Sequence, residues 1–314
     1  MPVTLDPDAA AVLAAFREAG RPSYETLSPP EAREWYLKAR LVAHPEPPVL
    51  ASVKAMTVPG PAGAIPVRIY TPKLLRQADG MAPALLFFHG GGWVIGDLDS
   101  HDVVCRTLAV QGEMIVISVD YRLAPEHKFP AAIDDALAAT QWIADNAIQL
   151  NIDASRISVG GDSAGGNLAA IVAIEARERG LKLRGQLLIY PATDFRMNHP
   201  SHSEPETDCL LSHTVMRWFR DHYLNDAGDI DNWRASPARA EDLSGLPPAF
   251  VLTAGADPLR DEGNEYARRL SEAGVEVAYQ TYPGQFHGFV TMGKILPMAN
   301  EALHAIGIWL KALG

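Results

Sequence analysis

Four short apolar runs constrain the fold more than any other feature of this chain. They are residues 84–89 (ALLFFH), 114–119 (MIVISV), 156–160 (RISVG) and 184–190 (RGQLLIY). Runs of this length that are apolar at consecutive positions suit strands buried on both faces, the condition of a parallel sheet. Helical patterns fill the gaps at 101–112, 131–149 and 164–179. Strand–helix alternation predicts an α/β fold, a mostly parallel sheet with helices on both faces. Further strands are read at 51–58, 65–70, 249–253 and 275–282, and further helices at 261–273 and 297–313.

Two stretches break the rhythm. Residues 1–50 read as two helices: Asp6 can cap the first, with Pro7 at its first position and Gly20 ending it. Ser28 and Glu31 have capping-box spacing and open the second, which runs to about His44 and carries Trp35, Tyr36 and Leu37. That much apolar surface must pack on something. Residues 195–235 hold several histidines and one amphipathic helix near 212–224. At roughly 150 residues per domain, 314 residues suggest two units. The pattern divides them unevenly: one α/β domain at 51–194 and 236–314, and a discontinuous helical cap from 1–50 and 195–235.

The chemistry concentrates at strand ends. Gly161-Asp162-Ser163-Ala164-Gly165-Gly166 follows the strand 156–160 directly and opens the helix 164–179. In that setting G-x-S-x-G is a nucleophile elbow. The serine occupies a strained turn, the flanking glycines remove side chains that would collide, and the helix N-terminus favours a developing oxyanion. The bland alternative is a Gly-rich turn or phosphate loop. His89-Gly90-Gly91-Gly92-Trp93 follows the strand 84–89, and consecutive glycines let backbone N–H groups approach a substrate carbonyl. Gly91 and Gly92 are therefore the expected oxyanion donors, together with the N–H of Ala164. A serine needs a base, and the base an orienting carboxylate. Of ten histidines, His287 lies just past the strand 275–282, where the functional crevice of an open α/β sheet opens. His44, His101, His127 and His304 lack such placement; His199, His202, His213 and His222 belong to the insertion. His89 reads as a support for the glycine turn. Asp257 follows the strand 249–253; its rivals Asp261 and Glu262 are explained by the helix they start. Ser163, Asp257 and His287 then stand in the α/β-hydrolase chain order.

Composition narrows the partners. The net charge of −11 disfavours nucleic acid and anionic lipid. Two cysteines, Cys105 and Cys209, cannot build a disulfide framework or zinc cluster, which points to a reducing, cytoplasmic setting. The apolar run 168–174 ends at Glu175, far short of the roughly 20 residues a membrane span needs. The first ten residues, MPVTLDPDAA, are acidic where a signal peptide is basic. The histidines have no metal-ligand spacing, so neither metal nor cofactor is expected.

HGGGW at 89–93, VDYRLAPEHKFPAA at 119–132, GGDSAGGNLA at 160–169, SGLPPAFVLTAGADPLRDEG at 244–263 and YPGQFHGF at 282–289 carry a resemblance. The chain resembles the hormone-sensitive-lipase-like branch of the α/β-hydrolases. This implies an α/β-hydrolase fold with a helical cap, and cofactor-free hydrolysis of short- to medium-chain acyl esters. It implies the roles already read for Ser163, Asp257, His287, Gly91, Gly92 and Ala164, and a possible homodimer. Lys128 departs from the pattern, where similar proteins often carry proline. Asp162 matches the GDSAG variant of the elbow and has no assigned role. Val215, Met216, Phe219 and Tyr223 share one face of the cap helix. With Trp35, Tyr36 and Trp93 they are candidates for an apolar substrate pocket; the alternative is that they only glue cap to sheet. An amidase or peptidase would use the same three residues, and a receptor on this fold would lack the histidine.

Overall fold

Among the described residues eight strands form one sheet in the order β1-β2-β4-β3-β5-β6-β7-β8. The computed structural model describes residues 4–75, 77–78, 80–204 and 210–313; Cys209, with the rest of 205–209 and the first three residues, lies outside them. β1 (Ser52–Gly60) and β2 (Gly63–Thr71) are antiparallel, and β2 also runs antiparallel to β4 (Ile115–Val119). The remaining neighbours are parallel: β3 (Ala82–Phe88), β5 (Ile152–Asp162), β6 (Gln186–Ile189), β7 (Ala249–Ala256) and β8 (Val277–Phe286). Every predicted strand is present, but β5 and β8 are longer than their apolar runs. Ile152 pairs with Ala82 across an irregularity, and Phe286 pairs with Ala256, so partner strands extend the ladder beyond the hydrophobic signal.

The pleat divides the core. Leu86 and Phe88 of β3 face one apolar layer, while Leu85 and Phe87 face the other. The first layer packs on α4 (Ala131–Asp145), α5 (Ala164–Glu178) and α7 (Arg260–Glu272). The second packs on α3 (Asp102–Gly112) and α8 (Pro297–Leu313). All seven residues of β3 are buried, as a central parallel strand requires. The chain leaves β3 for β4 on one side and later returns to β5 on the other. That reversal is a topological switch point, and a crevice opens there at the carboxyl ends of the strands.

The helix predicted over 131–149 stops at Asp145, and a separate turn at Ile148–Leu150 completes the stretch. The N-terminal helices are α1 (Pro7–Glu18) and α2 (Pro29–Ala43), and the amphipathic helix of 195–235 is α6 (His213–Tyr223). Asp6 stands at the cap position of α1, but its side chain makes no cap hydrogen bond. It instead accepts from Gln285 Nε2 at 2.9 Å, while its N–H donates to the Gly284 carbonyl at 2.9 Å. The capping acid has become a tether to the end of β8, just before His287. α2 does open with its box, Ser28 N–H donating to Glu31 at 2.9 Å. Arg33 of α2 reaches the sheet domain through Glu126 at 2.6 Å and the Val94 and Ala124 carbonyls. Lys128, the departure noted above, bridges to the end of α6 through the Leu224 carbonyl at 2.8 Å. Among the described residues no helix is long and apolar enough to cross a membrane.

His44, just past α2, is buried and donates its Nε2 proton to the Ser100 carbonyl at 3.1 Å. Burial, aided by His101 and Arg40, pushes its pKa down to about 4. His89 is pushed down to about 4 by burial and then by His101. An unfolded histidine takes a proton near pH 6.5 that these two refuse in the fold, so stability is lost as pH falls from there toward 4. Each contributes up to ~1.4 kcal/mol per pH unit in that window. Denaturant midpoints measured between pH 6.5 and 5 should fall, and His44→Gln should flatten the slope. An unchanged slope in the variant contradicts the assignment.

Candidate active site

β5 ends at Asp162, α5 begins at Ala164, and Ser163 makes the turn between them with φ +57° and ψ −116°. A non-glycine residue there carries strain of order 1–3 kcal/mol and persists only if its surroundings over-determine it. They do. Ser163 N–H donates to the Ile189 carbonyl at 2.8 Å, and the Ser163 carbonyl accepts from Asn167 N–H at 3.0 Å and Ala192 N–H at 3.2 Å. A Cβ on Gly161 or Gly165 would overlap the Phe88 carbonyl of β3. The glycines thus let the elbow press directly on the neighbouring strand.

His287 follows the last residue of β8, and its Nε2 lies 2.9 Å from Ser163 Oγ. Its Nδ1 lies 2.7 Å from Asp257 Oδ2. A carboxylate only accepts, so Nδ1 carries the proton of the neutral ring and Nε2 faces the hydroxyl as a lone pair. Asp257 follows β7, is fully buried, and fills its other oxygen with the Leu259 N–H at 2.8 Å. The rival acids are committed elsewhere. Asp261 accepts from Ser201 N–H at 2.9 Å and Arg260 Nε at 2.7 Å. Glu262 pairs with His202 at 2.8 Å, and burial pushes its carboxyl up despite that partner.

The glycine turn after β3 is clamped from behind. His89 Nδ1 donates to the Gly90 carbonyl at 2.8 Å, Tyr121 OH donates to the His89 carbonyl at 2.6 Å, and the two rings stack at 4.3 Å. Gly91 and Gly92 have φ of +122° and +58°, which favour glycine. Both border a cavity that Ser163 and His287 also line. Of the predicted wall, Tyr36, Trp93, Met216 and Phe219 line this cavity. Trp35 and Val215 do not. Trp35 is one residue from Tyr36, a turn of about 100° around α2, and lies 4.8 Å from the Arg21 guanidinium. Val215 falls in the apolar core, where Tyr223 is also buried against Trp93. Ala164 is buried off the cavity, so only its backbone N–H concerns the site. Tyr24, Arg40, Phe195 and Leu211 are wall residues the sequence reading missed. Arg40 was legible in one respect: it stands four residues after Tyr36, on the same helix face. Among the described residues no cluster of His, Cys, Asp and Glu could hold a metal ion.

A family profile described as the α/β hydrolase fold matches residues 85–291. The chain belongs to the α/β-hydrolase family. Its hormone-sensitive-lipase-like branch is borne out by the relatives. Esterase LipI of Mycobacterium tuberculosis is 44% identical over 278 residues, spanning 85% of this chain and 84% of that protein. An ethyl acetate hydrolase of Pseudomonas putida is 40% identical over 310 residues, 96% of each chain. Among solved structures, ester-hydrolase EH1AB1 from the metagenome of Lake Arreo, in complex with a bipyridine phosphonate derivative, superposes with a TM-score of 0.94. It is 43% identical, and the match covers 98% of this chain and 99% of that one.

The elbow contact makes its own prediction. Gly165→Ala should lower the unfolding free energy by at least the ~1–3 kcal/mol typical of overpacking, read as a lower denaturant midpoint, since the opposing atom is backbone. A midpoint within error of the parent contradicts the close approach.

Proposed function

We propose that this protein is a serine carboxylesterase that hydrolyses short- to medium-chain acyl esters through an acyl-enzyme on Ser163. The observation that carries the reading is one unbroken chain of contacts, Asp257–His287–Ser163, at 2.7 and 2.9 Å, ending in a largely apolar cavity. His287 takes the Ser163 proton as Oγ attacks the ester carbonyl. The carbonyl oxygen becomes an oxyanion that the N–H groups of Gly91, Gly92 and Ala164 receive. Collapse of the tetrahedral intermediate expels the alcohol, protonated by His287. Water, deprotonated by the same imidazole, then attacks the acyl-enzyme and releases the acid. Asp257 holds the ring in the tautomer this requires and stabilises the imidazolium. Its burial keeps that carboxylate aimed at one partner.

The apolar walls given by Tyr36, Trp93, Met216 and Phe219 favour uncharged acyl groups. Two relatives named for esters, one of them ethyl acetate, support the same substrate class. In this reading residues 1–50 and 195–235 form a cap over the carboxyl ends of the strands. The two cysteines favour a cytoplasmic setting. The outer edge of β8 and the exposed Ile308 of α8 suit a homodimer paired through these terminal elements.

Ser163→Ala should abolish hydrolysis of a short p-nitrophenyl ester, down to the residual ~10³–10⁴-fold over water that oxyanion hole and binding supply. Activity of the parent should fall toward acid pH, because a protonated imidazole cannot act as base. Near-full activity in the alanine variant contradicts the reading. In an acyl series from acetate to dodecanoate, kcat/KM should peak at short to medium length, and Phe219→Ala should move the peak to longer chains. A faster matched amide would point to an amidase instead.

A further inference from the structure

Asp162 occupies the variable position of the elbow, one residue before the nucleophile, and the mechanism above makes no use of it. Its side chain is buried, beside a cavity where negative charge must develop on a substrate oxygen. An extra buried anion there needs a reason. Its partners supply one: Oδ1 accepts from the Gly90 N–H at 2.8 Å and lies 3.1 Å from His101 Nε2. Burial would push this carboxyl up, but His101, Arg40 and the Gly90 N–H outweigh it and hold it below the usual range, so it stays charged.

Gly90 is the residue on which the oxyanion loop turns. In a trans peptide the C=O and N–H point in opposite directions. The plane between His89 and Gly90 is gripped on both sides, its carbonyl by Tyr121 OH at 2.6 Å and its N–H by Asp162 at 2.8 Å. The next plane has its Gly90 carbonyl held by His89 Nδ1 at 2.8 Å, which turns the Gly91 N–H away from that ring. Two successive planes are therefore fixed before substrate arrives. Gly90 has no room for a side chain, since a Cβ would overlap the Asp162 carboxylate.

We propose that Asp162 is a positioning residue: by anchoring the Gly90 N–H, its carboxylate aims the Gly91 and Gly92 N–H groups at the substrate oxyanion. This rests on the esterase reading. His101 braces the carboxylate, and its Nδ1 lies 3.0 Å from Ser100 Oγ, so the brace is itself held. The anchoring bonds are charge-assisted, which makes the loop stiffer than neutral bonds would. The charge of Arg40, from the N-terminal arm, also lowers this carboxyl, so the arm contributes to the anchor.

The test compares Asp162→Ala and Asp162→Asn with the parent on a short p-nitrophenyl ester, each checked for folding by circular dichroism and melting temperature. Asp162→Ala should lower kcat by about 10²–10³-fold, the effect of losing an oxyanion donor, while KM moves only a few-fold. The affinity of a trifluoromethyl ketone, which adds to Ser163 and places an oxyanion in the hole, should weaken in step with kcat/KM. Asp162→Asn should restore most of the rate, because its amide oxygen still accepts from Gly90. A purely structural role would lower the melting temperature and leave kcat and ketone affinity per folded molecule unchanged; that result overturns the inference. If Asp162→Ala does not fold, Gly90→Ala tests the same contact from the other side. It should show the same kcat-selective loss, and unaltered kcat and ketone affinity would overturn the proposal. An inactive parent contradicts the esterase reading and this inference together; an active parent with an unaffected Asp162→Ala contradicts the inference alone.

Discussion

The close approach of the β5–α5 turn to the carbonyl end of β3 governs the rest of this molecule. Gly161 and Gly165 lie so near the Phe88 carbonyl that neither tolerates a side chain. That contact brings two strand ends together at the switch point of the sheet. It also keeps Ser163 in a backbone conformation no isolated peptide would hold, at φ +57°. The strain is sustained by backbone bonds from β6 and the loop after it, through Ile189 and Ala192. The placement of Ser163 at the cavity is thus a property of the whole sheet core. Once Phe88 and Ser163 are fixed, the glycine loop after β3 can only run beside the serine, and the ends of β7 and β8 bring Asp257 and His287 to its other side.

Around this point charge is arranged in layers. Asp257 sits behind His287 and is filled by one imidazole and one backbone N–H. Asp162 sits behind the glycine loop and is filled by Gly90 and His101. Glu262, farther round the cavity, is filled by His202 and the Thr193 and Asp194 N–H groups. Each of these three acids is committed to partners, so none of them offers a free carboxylate to the cavity beside Ser163. The arm enters the same arrangement through Asp6, bound to the end of β8 before His287, and through Arg40.

Much of this was legible in the sequence because it depends on local rules. ALLFFH and MIVISV are runs typical of buried parallel strands, and a G-x-S-x-G between strand and helix points to an elbow. Chain order and strand ends singled out His287 and Asp257 from nine and two rivals. What escaped depends on contacts between distant segments. Asp6 looked like a helix cap, yet its carboxylate met Gln285, 279 residues away in sequence. Trp35 and Val215 were apolar and on the right helices, but helix rotation sends Trp35 toward Arg21 and Val215 into the core. The ends of β5 and β8 ran past their hydrophobic signal because strand pairing, not side-chain burial, extended them. Asp162 was visible as a letter in a motif, and only the Gly90 contact gives it a purpose.

The central claim is that Ser163 is a nucleophile activated by this arrangement. Incubation with a p-nitrophenyl alkylphosphonate, followed by intact-mass and peptide mass spectrometry, tests it most directly. The account predicts one phosphonyl adduct per chain, mapped to the peptide holding Ser163, forming far more slowly in His287→Ala. An adduct on another residue, or an unchanged labelling rate without His287, would contradict it.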